Sequence, residues 1–181
     1  MPIRNPAFAV EHEAGRLTDF SLFNLNPLLL PTYSLRANGL TNESIALTNI
    51  LGQFLQETQY VGELHFDTLP GQSSKFVPLT ITDLRAVRAD GTNVFSLVDG
   101  FGRVAIVGEE PMLEARRLPN GQAQLTVYGP PGIAVRLETT TVLSDSITWT
   151  FWRDVTLSGL STNLTPVPSN GQTLFIRGRK L

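Results

Sequence analysis

From Gly121 to Thr141 the chain reads G-Q-A-Q-L-T-V-Y-G-P-P-G-I-A-V-R-L-E-T-T-T. Ala123, Leu125 and Val127 fall on one parity, and Ile133, Val135 and Leu137 alternate against Arg136 and Glu138. Strict alternation of apolar and polar residues is the period of a half-buried strand, not of a helix. Asn120-Gly121 and Gly129-Pro-Pro-Gly132 punctuate the two runs with residues that favour tight turns. Further downstream lie D-S-I-T-W-T-F-W (145–152), V-T-L-S-G (155–159) and L-F-I-R-G-R (174–179). Short strands separated by regular turn signals predict an all-β sandwich.

The same grammar runs backward through the chain. Phe8, Val10 and His12 alternate before Gly15, and 16–25 forms a second run. Leu17, Asp19 and Ser21 take one parity there, Phe20 and Leu22 the other. Pro27 and Pro31 bracket Leu28, Leu29 and Leu30, which excludes a central strand and predicts an edge or a buried loop. If on an edge, these leucines form a docking strip; otherwise they fill the core. Glu43–Gln56 reads two ways. Ile45, Leu47, Ile50, Leu51, Phe54 and Leu55 partly fit a helical stripe with Thr41 as cap, but Gly52 interrupts it and 43–50 alternates as a strand, the reading we favour. In 61–68, Leu64 and Phe66 point inward and Glu63, His65 and Asp67 outward. A strand over 76–81 continues after a kink as 84–88; 89–93 and 99–102 read as turns, and 103–107 as a strand. Glu109-Glu110-Pro111 is the expected domain boundary. The fold class is therefore all-β, two antiparallel β-sandwich modules in tandem, over 1–108 and 111–181.

Composition limits function more than it identifies it. The net charge is −2 with the basic residues scattered, so nothing predicts nucleic-acid or anionic-membrane binding. No run is long and apolar enough to insert as a membrane helix. Without cysteine there are no disulfides and no thiolate chemistry. The N-terminus has no apolar signal-peptide core, which leaves a cytosolic protein or, as we expect, a piece of a longer exported polypeptide.

No catalytic constellation stands out, and we expect no enzyme. Glu11-His12-Glu13 on a strand puts the histidine opposite the glutamates, not in a chelate. No G-x-S-x-G elbow occurs. Asp90-Gly-Thr-Asn93 reads as a turn; with Asp83 or Asp99 it offers the one conceivable calcium site, and no other cofactor is expected. Trp149, Phe151 and Trp152 offer a sugar-stacking platform, but we expect Trp149 and Phe151 on one face with Trp149 filling the core and Trp152 covering it. Arg177 is expected to pair with Asp145 or Glu138 and pin the tryptophan turn.

These residues also carry two resemblances. Tyr128-Gly129 with Gly132, then Asp145-Ser-Ile-Thr-Trp149-Thr, Val155-Thr-Leu157 and Phe175-Ile-Arg-Gly-Arg179 resemble, in order and spacing, a C-terminal immunoglobulin/fibronectin-like module of large secreted proteins of Verrucomicrobia and Planctomycetes. Ser146 stands where that module has leucine, and Gly178 interrupts its closing strand. Tyr60–Asp67, Phe76–Leu84, Ala89-Asp-Gly-Thr92 and Gly102-Arg-Val-Ala-Ile106 are similar to the later strands of cohesin-like domains. That second resemblance implies a sandwich shortened at its start, cut there or completed by a strand from a partner, with a homodimer by edge pairing as one outcome. Together they imply a non-catalytic extracellular or cell-surface module for adhesion, scaffolding or anchoring to a protein partner. The alternative is a carbohydrate-binding accessory module of a polysaccharide-degrading system. The candidate contacts are Trp152 and Leu28, Leu29 and Leu30.

Overall fold

A computed structural model describes residues 1–96, 100–144, 147–164, 167 and 173–181. The described chain is all-β, with no helix and four antiparallel sheets. It divides into two compact units, Met1–Pro70 with Val77–Val104, and Gly71–Phe76 with Ala105–Leu181. The break thus falls before Glu109–Pro111, and a loop from the first half of the sequence goes with the second unit. Ser74 explains this: its Oγ donates to the Glu110 carbonyl at 2.5 Å and accepts from the Gly108 N–H at 2.9 Å.

The first unit contains β1 (Ile3–Glu11), β2 (Leu17–Phe23), β3 (Leu29–Ala37), β4 (Asn42–Asn49), β5 (Glu63–Thr68), most of β6 (Lys75–Arg88), β7 (Asn93–Ser96) and most of β8 (Gly100–Ile106). One sheet runs β3-β4-β1-β6-β7 with β8 also on β6; the other is β2-β5 alone. The 43–56 ambiguity resolves as strand β4. Its alternate residues Glu43, Ile45, Leu47 and Asn49 are buried, and burying every second side chain is what a sheet face does. Phe8 and Val10 lie opposite Ile45 and Glu43, so both strands turn this face inward. The core is Val10, Leu22, Leu29, Ile45, Leu47 and Leu55.

Three irregularities shift parity where simple alternation misleads. Asn5 sits at φ 50 in a bulge of β1, where Asn5 N–H donates to Asn49 Oδ1 at 2.7 Å and Asn49 N–H to Asn5 Oδ1 at 3.0 Å. Asp19 at φ 54 breaks the β2 register, so Leu17 and Leu22 are both buried despite opposite parity. Asp83 at φ 53 is the kink within β6, which continues as one strand. The expected turn over 99–102 is corrected at its described residues, for Gly100–Gly102 open β8. A Cβ at Gly100 would meet Ile81 Cδ1 at 3.3 Å, and the bare glycine lets β8 lie flat against that side chain. Asp99 lies outside the described residues.

The second unit packs two three-stranded sheets. β9 (Met112–Arg117), β10 (Ala123–Tyr128) and β13 (Ser161–Leu164) form one, and β11 (Ala134–Thr140), β12 (Thr150–Thr156) and β14 (Phe175–Lys180) the other. Leu125 and Val127 from the first meet Val135, Leu137 and Val155 from the second, joined by Leu157, Leu164 and Val167. Gly178 does not interrupt β14. A Cβ there would meet Val135 Cγ1 at 3.2 Å and Leu113 Cδ2 at 3.4 Å, so glycine lets β14 close over this core.

Candidate functional site

The two sheets of the first unit are unequal, and that inequality makes an opening. Tyr33 on edge strand β3 accepts a hydrogen bond from the Leu22 N–H at 3.1 Å, which places β2 over the β3 side of the larger sheet. β5 therefore lies toward β1 and β6. Its outer edge carries no strand among the described residues. Beyond that edge the inward residues of β6 and β8 are left under-covered. The result is a cleft of about 550 Å³, bordered by Leu64 and Val61 on one side and Leu79, Ile81 and Leu84 on the other. Phe101 stands at its mouth, 92% exposed. Burying apolar surface is the main favourable term in association, and Phe101 extends the apolar lining of the cleft to its mouth.

The rim beside the cleft is acidic. Glu63 and Asp67 face outward from β5. Glu63 accepts from Asn24 Nδ2 at 2.9 Å and lies 3.3 Å from His65 Nε2. The histidine and asparagine hydrogen bonds hold its carboxyl below the usual carboxylate range. His65 also meets the Phe23 ring, with centroids 4.5 Å apart, and is a surface residue.

The sequence-selected residues divide between core and surface. Leu29 is buried in the first core, Leu28 packs against it, and Leu30 is half-buried at the start of edge strand β3. The two prolines thus mark an edge strand, with Leu28 and Leu29 turned to the core and Leu30 partly exposed. Trp152, partly buried, covers the core of the second unit as expected, but Trp149 does not fill that core: it lies outside β12, half-buried beneath Arg177. The cause is a register shift between Leu137 and Glu138, which sets Phe151 opposite Glu138 and gives β12 an extra residue at Trp152. Arg177 Nε donates to Glu138 Oε2 at 2.8 Å, and its guanidinium stands 4.5 Å from the Trp149 ring centroid. Asp145 lies outside the described residues. Arg136 pairs with Asp154 at 2.9 Å and lies over Phe151, which ties these three side chains to one another on that sheet face.

Asp90 Oδ1 accepts from Thr92 N–H at 2.9 Å and Thr92 Oγ1 at 2.7 Å, and those bonds lower its pKa. That is an Asx turn, with the carboxylate already engaged. Asp83 lies 3.7 Å from Arg85. No group of three or more histidine or acidic side chains suited to a metal occurs among the described residues. Sequence reasoning missed the cleft, because β5, β6 and β8 meet there only through tertiary packing. The one local signal was Gly100-Phe-Gly102, an aromatic between glycines that a turn did not require. No family model matches the chain, and no curated protein matches it significantly.

Proposed function

We propose that this protein is a non-catalytic docking module whose first unit takes up an extended segment of a protein partner. The observation that carries this reading is the apolar cleft beside the free edge of β5. A strand added to β5 would pair with its open N–H and C=O groups. Alternate side chains would then fall on Leu79, Ile81, Leu84 and Phe101. The acidic side chains of β5 favour lysine or arginine at the intervening positions, since opposite charges directly across a ladder are stabilising. The segment is thus extended, apolar at every second residue and basic between. The resemblances to modules of large secreted bacterial proteins support a place in a longer exported or cell-surface polypeptide. A scaffolding or anchoring role follows from that.

Amide NMR with such a peptide tests the reading. Shifts are expected along 61–68 and 79–84, with affinity falling about tenfold in Phe101→Ser, the loss of roughly one apolar anchor. Absence of shifts along β5 would reject it. A concentration-dependent dimer with the same shifts would make the occupant a second copy. Binding to a polysaccharide that Trp152→Ala abolishes would favour the carbohydrate reading instead.

A further inference from the structure

A second opening in the first unit has a different chemistry. It holds about 420 Å³ and is walled by Leu17, Phe20, Leu35 and Leu40 around His12 and Glu43. His12 follows Val10 in parity, and its N–H bonds to the Thr41 carbonyl at 2.9 Å. Glu43 lies opposite Val10. The two are diagonal neighbours on the inward face, within reach of one another's side chains. Both are more than nine-tenths buried, at 9% and 7% exposure.

Each offers an acceptor that the protein does not use. His12 Nδ1 lies 3.2 Å from the Glu13 carbonyl oxygen, which can only accept, so Nδ1 carries the proton. In the neutral ring Nε2 is then a bare lone pair, and it is buried with no hydrogen-bond partner. The carboxylate of Glu43 feels His12 through space but has no donor on it among the described residues. Asp19 lines the same opening and adds negative charge at its exposed rim. An unsatisfied buried acceptor is costly, and His12 Nε2 is one; a donor from outside that reached it through this opening would meet the Glu43 carboxylate as well. A cationic donor would suit the pair, because one acceptor is a carboxylate.

We propose that this opening binds a primary ammonium on an unbranched apolar stem, the chemistry of a lysine side chain. The ammonium would donate to Glu43 and to His12 Nε2, and its methylenes would lie along Leu17, Phe20 and Leu35. An ammonium fits better than a guanidinium, whose planar fork suits one bidentate carboxylate and not two separate acceptors. This site is independent of whatever occupies the β5 cleft.

The test is an amide NMR titration of the intact chain with n-butylammonium and with a peptide bearing one lysine. Saturable shifts at His12, Thr18–Phe20 and Gly39–Glu43 are expected, with a dissociation constant on the order of 1 mM for the free amine. A peptide about tenfold tighter than the amine assigns the lysine of a protein; equal affinity assigns a free amine. Glu43→Gln, close in shape, should abolish the shifts, and Asp19→Asn at the rim should weaken them. The same peptide with norleucine for lysine should not bind. Equal binding of the norleucine peptide, no shifts with either probe, or a His12 ring protonated on both nitrogens above neutral pH would overturn the proposal.

Discussion

Glu43 shows how one residue can work against the fold that holds it. Burial raises its pKa above the ordinary value of 4.5, and the nearby His12 only partly opposes this. A carboxyl whose folded pKa is raised favours the protonated folded state. Its contribution is greatest below the unfolded value and is lost as pH rises through the folded one. Glu43→Gln should therefore stabilise the protein at pH 7 and flatten its stability curve above about pH 4.5. Urea titrations of both forms at several pH values check this; a variant that is less stable at pH 7 would contradict it. Arg177 is the opposite case. It holds the Glu138 side chain, which is only 11% exposed, while remaining 47% exposed itself. Arg177→Met should cost about 1–2 kcal/mol, a charged hydrogen bond discounted for solvent screening and for the help of Arg179. The same change should alter Trp149 emission, because the cation leaves its ring face. At this scale Arg177 and Glu138 were legible in the sequence as an expected pair. The burial of Glu43 and His12 was not, since it depends on which of β1's faces turns inward.

Elements carry their information in alternation, and they fail where one residue departs from it. The strands over β4, β5 and β10 follow their sequence parity, and β11 does so up to Leu137, after which Glu138 is buried as well. β2 and β12 do not. Asp19 in a left-handed conformation and the extra residue at Trp152 each move the following side chains to the other face, and no local pattern announces either. β14 shows a related limit, because Gly178 reads as a break but serves close approach. Gly178→Val should destabilise the second unit by about 1–3 kcal/mol through overpacking against Val135 and Leu113, measured by the denaturation midpoint. Tyr33→Phe removes the acceptor for the Leu22 N–H. It should cost about 1 kcal/mol and speed hydrogen exchange at Leu22 while leaving the second unit unchanged.

At the scale of the whole molecule, the second unit includes a loop from far earlier in the chain. Ser74 bonds Gly108 and Glu110, and Phe76 meets Tyr128 edge-on with ring centroids 5.3 Å apart. The chain from Ala105 to Leu181 produced alone lacks these contacts. It should unfold about 2 kcal/mol more easily than the same unit in the intact chain. Fluorescence reads this cleanly, since both tryptophans lie in that unit. Equal stability would show that Gly71–Phe76 is dispensable. The sequence by itself determined that the chain is all-β and where most strands and turns fall. These depend on period, glycine, proline and Asx chemistry, which act over a few residues. Tertiary structure alone decided that six strands face two in the first unit, which opens the β5 cleft, and that Gly71–Phe76 joins the second unit. It also decided that His12 and Glu43 line one opening. Each of these depends on contacts between segments tens of residues apart, and chain-local spacing carries no record of them.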